Sequence, residues 1–566
     1  MPRVHPRHRL LEAPEAPEAL KALGMSVIPG RSRVTTQYGI VAASQPLAAR
    51  AGAQILERGG TVVDAAIAAN AVMGVVEPEM NGIGGDLFAI VYEAKSGALH
   101  GLNAGGWAPA ALTPAMLRAQ GHTEMPLHGV HAITVPGCVA GWNALHKRFG
   151  ALPLQHVLAP AIFYADRGFP VSDIIAERWG ASTEKLRADP HAAATLLVDG
   201  RAPRAGEVFV NGALGRSLRI VAKDGARGFY DGPIAKAILD SVAAHGGVMN
   251  AADLREYEPE WVTPIARTYR GWDVFELPPN TQGIGALMML GIMEQFPLRD
   301  YGFHSARALH VMIEAKKLAY ADMLRYVGDQ RFGAAPIDEM LDAAHARARA
   351  RLVREDAAAA DVEPSRFAGL TTAKGGDTIY LSAIDRHGNI VSLIQSIYDG
   401  FGSGLAPAGG GFMLHNRAAL FTLEPGHPNV LAPRKRPLHT IIPGFMRRGD
   451  VTIGFGIMGA WNQAQAHAQF VANIVDFDLD IQEALEAGRF TKPTFTGADV
   501  LIEALIPDAA RQALARLGHE ITVVPPRTGT FGSGQAVMSD GTGVHYGASE
   551  PRHDGAAIPE APPVSL

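Results

Sequence analysis

The chain has 566 residues, 47% hydrophobic and 19% charged, with a formal net charge of -5. That is the balance of a large globular protein, built as several domains or one large layered unit, and it excludes bulk disorder. Without a basic excess, neither nucleic acid nor a membrane surface is expected as a partner, and small molecules are.

The single cysteine, Cys138, cannot form an internal disulfide. In Pro136-Gly137-Cys138-Val139-Ala140-Gly141-Trp142 it reads as a small buried residue rather than a nucleophile. Residues 1–35 contain no apolar run of signal-peptide or membrane-span length, so a cytoplasmic enzyme is expected. Pro2, Pro6, Pro14 and Pro17 make this stretch a surface-wrapping arm.

Over 44–58, Ser44 can cap a helix with Pro46 in its first turn, and Leu47, Ala51 and Ile55 recur at four-residue spacing. Gly59-Gly60 ends it, and Val63, Ile67 and Ala71 restart the period until Gly74 and Pro78. Asn81-Gly82-Ile83-Gly84-Gly85-Asp86 then feeds a strand over 87–92. It lacks the third glycine of a dinucleotide fingerprint and precedes a strand where a helix is required, so its glycines point to close backbone approach instead. His128 and His131 have no acidic partner at helical spacing and read as surface or structural histidines rather than the ligands of a metal hydrolase.

The patterning over 140–350 is mostly helical, clearest at 306–325, and is broken by a Pro-Pro-Asn-Thr-Gln-Gly turn at 278–283. Residues 353–376 mix alanines, scattered charges and a final Lys374-Gly375-Gly376, the composition of an exposed, flexible connection. Strands are expected over 378–385 and 389–398, with Arg386-His387-Gly388 as the hairpin turn. Further strands are expected at 440–446 and 451–456, and helices at 463–475 and 481–487. The class is α+β, with a shared core of two sheets between helical layers.

The hairpin carries the chemistry. Thr378 and Ser396 each lie nine residues from His387, so they are expected to pair across the ladder with side chains on one face. The pair serves packing equally well, but Thr378 directly follows the glycine-rich connection. A cut between Asp377 and Thr378 would give the threonine a free α-amine with a pKa of about 7.7–8.0, able to accept its own hydroxyl proton. Acyl transfer also needs oxyanion donors, and the amides of Gly456-Ile457-Met458-Gly459-Ala460, between a strand and a helix, are candidates; an ordinary turn is the alternative. Neither Ser403 nor Ser533 has the Gly-x-Ser-x-Gly spacing of a nucleophile elbow.

At these residues the chain resembles the γ-glutamyltranspeptidase family of N-terminal-nucleophile hydrolases. The shared motifs run nearly end to end. Early ones are Gly82-Ile83-Gly84-Gly85, Val135-Pro136-Gly137, Pro278-Pro279 with Gln282-Gly283, Glu314-Ala315-Lys316 and Gly328-Asp329. Later ones are Asp377-Thr378, Gly402-Ser403-Gly404, Lys435-Arg436-Pro437-Leu438 and Tyr546-Gly547-Ala548-Ser549.

The resemblance implies a four-layer αββα sandwich and a precursor that cuts itself between Asp377 and Thr378. A large region, 36–377, with its linker at about 353–377, and a small region, 378–566, would then share one core. It also implies Thr378 as nucleophile, Ser396 bonding it, and the amides of Gly459 and Ala460 as the oxyanion site, with no metal or cofactor. A homodimer is left open.

Positions expected to hold a γ-glutamyl group depart from the family. An expected arginine is Gly105 or nearby, an asparagine is Tyr398, a glutamine and aspartate are Arg417 and Leu420, and a serine pair is His439-Thr440. Losing such clamps should cost several kcal/mol of γ-glutamyl binding, at about 1.5–3 kcal/mol per charged hydrogen bond. Arg417 suits a carboxylate held close to the scissile amide, or else is a solvated loop arginine. The branch resembled is the one lacking γ-glutamyl recognition, such as oxamate amidohydrolase, with cephalosporin-acylase-like members second. Hydrolysis of a small carboxylate-bearing amide is the expectation. True γ-glutamyl transfer with glutathione hydrolysis, and an uncleaved binding or scaffold protein, are the alternatives.

Overall fold

The computed structural model describes residues 30–365 and 377–563. Two antiparallel seven-stranded sheets form its centre. The first runs Val34–Thr36, His545–Ser549, Gly534–Ser539, Val451–Ile457, Gly444–Arg448, Trp272–Glu276, Ile265–Tyr269. The second runs Ala556–Pro559, Ile40–Ala43, Asp377–Ile384, Ile390–Tyr398, Asp86–Glu93, Ala98–Ala104, Glu260–Val262. Each takes strands from both sides of residue 377.

Three apolar clusters fill the three spaces between four layers. Helices Pro46–Glu57, Val62–Val76 and Cys138–Phe149 cover the outer face of the second sheet, meeting Ile379, Leu381, Ala383, Val391 and Leu393. Helices Gly283–Met293, Ala306–Tyr326 and Gln463–Val475 cover the first sheet. Between the sheets lie Ile40, Phe88, Tyr380, Ile384, Ile390 and Ile394, packed against Phe445 and Val537. This is the αββα sandwich of the N-terminal-nucleophile hydrolases.

The two-residue period of a strand explains the near-continuous apolar runs, because odd residues of 379–384 meet helices and even ones meet the opposite sheet. Even-numbered residues there include polar groups, and these join the sheets. The Ser382 hydroxyl donates to Gly454 O at 3.1 Å and that of Ser392 to Phe455 O at 3.3 Å. Gly456 leaves room for the Tyr380 ring, since a Cβ there would lie 2.4 Å from it.

Several expectations change in detail. The first helix is capped by the Gln45 side chain, while Ser44 donates to Glu77 at 2.6 Å. The second starts on a capping box of Thr61 and Asp64. The strand expected at 440–446 begins only at Gly444, because the N–H groups of Ile441 and Ile442 are taken by His439 Nδ1 and Gln463 Oε1. Strands Ile265–Tyr269 and Trp272–Glu276 lie within the stretch read as mostly helical. Buried Arg267 and Glu276 obscure their alternation. The arm's end, Val34–Thr36, is an edge strand rather than a loose wrap.

Of the exposed, flexible connection expected at 353–376, residues 366–376 lie outside the described ones. Lys317 Nζ donates to Ala359 O at 2.6 Å, Arg349 to Glu363 O at 3.0 Å, and the Ser365 N–H to Asp322 at 2.5 Å. Residues 353–365 are therefore laced onto the helix layer.

The glycine turn at 82–85 makes the close approach expected of it: a Cβ on Gly84 would lie 2.1 Å from Met413 O, and one on Gly85 2.4 Å from Ser396 O. Gly84→Ala should lower unfolding free energy by about 1–3 kcal/mol or more. Gly180→Ala, in helix Asp173–Ala181 with nothing within 4 Å, should raise it by about 0.5 kcal/mol. Urea denaturation of the two variants beside the parent checks both signs.

Candidate active site

The hairpin register holds as expected from Ile379↔Gln395 to Ile384↔Ile390, centred on His387. At its open end Asp377 pairs with Tyr398, so Ser396 and Ile397 together oppose Thr378. A bulge of this kind re-aims side chains at the end of a ladder. Thr378 and Ser396 thus meet through a bulge, not as a regular cross-strand pair. The Thr378 hydroxyl donates to Ser396 Oγ at 3.3 Å, and the Tyr398 N–H donates to the same oxygen at 2.8 Å. Tyr398 sits at φ +80, a left-handed backbone few bulky residues adopt.

Arg417, at the start of the 3-10 turn Arg417–Leu420, reaches the same oxygen, donating to Ser396 Oγ at 2.7 Å and to Thr440 Oγ1 at 2.9 Å. Its guanidinium carbon stands 4.6 Å from the Tyr398 ring centroid. The side chain is 0% exposed, which rules out the solvated-loop reading. Burial pulls its pKa down to about 10, opposed by the charge of Asp86, so it stays charged at neutral pH.

Asp86 is the second charge of the site, on the strand beside Ser396 and in register with it. Its Oδ1 accepts from the N–H groups of Gly106 at 2.9 Å and Gly137 at 3.2 Å, and its Oδ2 lies 3.0 Å from His439 Nε2. Burial alone would raise its pKa; His415 and His439 hold it well below the usual carboxylate range. His439, pressed by burial and then by the charge of Arg417, is pushed down to about 3. The Ile441 N–H donates to its Nδ1, so Nε2 carries the proton donated to Asp86.

Strand Val451–Ile457 leads into a turn with Gly459 at φ 127 and Ala460 at φ 53, then into helix Gln463–Val475. Among the described residues the N–H groups of Gly459 and Ala460 donate to no protein group. Gln282 Nε2 fixes the turn by donating to Ala460 O at 2.7 Å. Gly532 packs behind it, where a Cβ would lie 1.7 Å from Met458 O. Gln463 ties turn to hairpin, donating from Nε2 to Thr378 Oγ1 at 3.3 Å and accepting the Ile442 N–H at 3.1 Å.

The structure therefore gathers Thr378, Ser396, Tyr398, Arg417, His439 and Thr440 into one chain of contacts, with Gly459 and Ala460 joined to it through Gln463. Sequence reading missed Asp86, Gln463 and Gln282. Asp86 closes the glycine motif and Gln282 opens another quoted motif, so both were in view without a role. Gln463 is one glutamine in an Ala/Gln helix and gave no signal. Elsewhere among the described residues, His310, Glu314 and His519 offer ligand atoms within 4.8 Å of one another. His310 lies 2.8 Å from His519 and Glu314 accepts from Lys317 at 2.7 Å, so these groups bond to one another and to a lysine.

Two buried histidines, His439 and His553, both pushed down to about 3 from 6.5, give a pH dependence. A histidine neutral in the fold but protonated when unfolded destabilises as pH falls through the unfolded pKa. Stability should drop between about pH 6.5 and 4 by up to about 1.4 kcal/mol per pH unit for each. Below the ordinary range of Asp86, 3.8, its depressed pKa should steepen the loss. Urea midpoints measured across pH, with His439→Gln flattening the upper part, check this.

The comparisons with known proteins agree over nearly the whole chain. The Gamma-glutamyltranspeptidase family matches residues 48–560. The glutathione hydrolase-like YwrD proenzyme of Bacillus subtilis is 34% identical, covering 90% of this chain and 96% of its own. The oxamate amidohydrolase proenzyme of Klebsiella pneumoniae is 33% identical, over 93% and 99%. The crystal structure of cephalosporin acylase from Bacillus halodurans superposes with a TM-score of 0.88 at 39% identity, over 97% of this chain and 99% of that one. No helix among the described residues is long and apolar enough to cross a membrane. The chain belongs to the γ-glutamyltranspeptidase family of N-terminal-nucleophile hydrolases.

Proposed function

We propose that this protein is a precursor that cuts itself between Asp377 and Thr378 and then hydrolyses a small carboxylate-bearing amide through an acyl-enzyme on Thr378. The observation that carries the reading is the setting of the Thr378 hydroxyl, held at 3.3 Å by both Ser396 Oγ and Gln463 Nε2 beside the 459–460 turn. Two relatives named as proenzymes, one an oxamate amidohydrolase, support it.

In the continuous chain Thr378 has 0% exposure. Breaking its bond to Asp377 is thus what would give a substrate access and leave an α-amine beside the hydroxyl. That amine takes the hydroxyl proton as Oγ1 attacks the amide carbon. The N–H groups of Gly459 and Ala460, unpaired among the described residues, lie in a turn fixed by Gln282 and are suited to receive the oxyanion without reorganising. The C–N bond then breaks, the amine leaves with the proton, and water repeats the sequence on the ester.

Arg417 is the proposed anchor for a carboxylate on the acyl half. It is a buried, charged fork whose contacts are hydroxyls and a ring, and its Nε has no partner among the described residues. A γ-glutamyl group, with its distant α-carboxylate and ammonium, fits this arrangement poorly.

Thr378→Ala should leave the chain uncut on a denaturing gel and free of any acyl adduct by intact mass, whereas the parent gives two fragments of about two-thirds and one-third of the chain. Arg417→Met should lower kcat/KM for a carboxylate-bearing amide by about 10–150-fold relative to the matching carboxamide, the loss of one charged hydrogen bond. Turnover of γ-glutamyl anilides as fast as the best amide in a panel would overturn the specificity.

A further inference from the structure

Between helix Cys138–Phe149 and the chain entering edge strand Glu260–Val262 lies a cleft of about 550 Å³, and none of the residues gathered round Thr378 lines it. One wall is a single helix face, because Ala140, Asn143, Ala144 and Lys147 recur three or four residues apart. The alanines leave it open, and Asn143 and Lys147 are its polar groups. The buried rings of Tyr230 and Tyr257, 5.8 Å apart between centroids, form the floor, and the half-buried Trp261 stands on the other wall. Both hydroxyls turn inward, Tyr230 donating to Pro136 O at 2.6 Å and Tyr257 to Gly105 O at 3.2 Å. The next residues, Gly137 and Gly106, carry the N–H groups that reach Asp86. The two tyrosines and these loops therefore stand between the cleft and the candidate active site.

Apart from the two phenols, the ionisable side chains lining the cleft are Lys147, Arg148 and Glu258, and they are unequally satisfied. Arg148 is engaged: its Nη2 lies 2.7 Å from His100 Nδ1, and its guanidinium carbon stands 5.0 Å from the Phe149 ring centroid and 4.6 Å from that of Trp261. On the opposite wall three glutamates occupy alternate positions. Glu256 pairs with Arg434, and Glu260 pairs with Arg436 at 2.7 Å. Glu258, between them, has no ion pair and no side-chain hydrogen bond among the described residues, and neither has Lys147; the Asn143 side chain is likewise unbonded among them. A cation and an anion thus line one cleft without neutralising each other.

We infer that this cleft is a second binding site, remote from Thr378, for the zwitterion of an aromatic amino acid. Lys147 receives the carboxylate together with Asn143 Nδ2, one helical turn away on the same face, and Glu258 receives the ammonium. The ligand's ring lies over the alanines against Trp261, Tyr230 and Tyr257. A ligand with a carboxylate alone leaves Glu258 unanswered and adds to its negative charge, and one with an ammonium alone does the same to Lys147, so only a ligand carrying both satisfies the two walls. A mostly apolar, aromatic lining with a few polar groups is the make-up of a small-molecule site. The inference is independent of the acyl-enzyme chemistry on Thr378.

The test is calorimetric titration of the purified protein with L-phenylalanine, 3-phenylpropionate, which lacks the ammonium, and 2-phenylethylamine, which lacks the carboxylate. The parent should bind L-phenylalanine at least about tenfold more tightly than either comparator, the scale of one charged hydrogen bond. Lys147→Gln should bring L-phenylalanine within about twofold of 2-phenylethylamine, and Glu258→Gln should bring it within about twofold of 3-phenylpropionate. Both side chains are exposed, so neither substitution threatens the fold. Thr378→Ala should bind L-phenylalanine as the parent does, because that residue lines a different site. No binding of L-phenylalanine, equal affinity for the three ligands, a preference that survives either charge substitution, or loss of binding in Thr378→Ala overturns the proposal.

Discussion

A strand buried on both faces can carry a polar side chain only where another polar group answers it, because an unmatched buried donor or acceptor costs about 1–3 kcal/mol. The strands Asp377–Ile384 and Ile390–Tyr398 are in that position, between a helix layer and the opposing sheet. Thr378, Ser382, Ser392 and Ser396 all lie on the inter-sheet side at zero exposure. Ser382 and Ser392 are answered by carbonyls of the opposite sheet, which hold the two sheets in register. Towards the open end those carbonyls run out, and Gln463, Arg417 and the Tyr398 N–H take their place around Thr378 and Ser396. The candidate site is the end of the sandwich, where side chains replace backbone as partners.

That replacement brings charge indoors. Arg417 is wholly buried with no carboxylate among the described residues in contact, and Asp86 is wholly buried with two backbone N–H groups and His439 on it. The two charges compensate through the neutral imidazole of His439 rather than as an ion pair. A direct pair would be self-satisfied and have little left for a ligand. Kept apart, each retains its reach: Asp86 pins Gly106 and Gly137, and Arg417 keeps an undirected Nε.

The layers, the hairpin and its turn centre, and the helices at 306–326 and 463–475 were legible because each has a period of two or near four with glycine or proline at its ends. The bulge at Thr378 was not, since register is set by pairing and one extra residue leaves no mark in composition. Strands at 265–276 were hidden by Arg267 and Glu276, polar residues whose burial depends on partners far along the chain, such as His467 for Glu276. The candidate site was legible at motif residues, as at Thr378, Gly459 and Ala460. Arg417 could be singled out only as a departure from the family. Whether it faced water or the core depended on Tyr398 and Thr440 closing over it, which no local pattern encodes.

The placement of the connection also bears on what a cut at 377–378 can do. Each sheet joins strands from the two sides of that bond, with Asp377–Ile384 paired to Ile40–Ala43 and Val451–Ile457 joined through Gly444–Arg448 to Trp272–Glu276. Pulling the fragments apart would strip the ladders and expose the inter-sheet core, so non-covalent contacts suffice to hold them. Up to Ser365 the connection is fastened to Asp322 and Arg349 on the outer helices. Loss of the 377–378 bond would leave these ladders and fastenings in place, which is the condition for a threonine to become a chain terminus while its hydroxyl stays where Ser396 and Gln463 hold it.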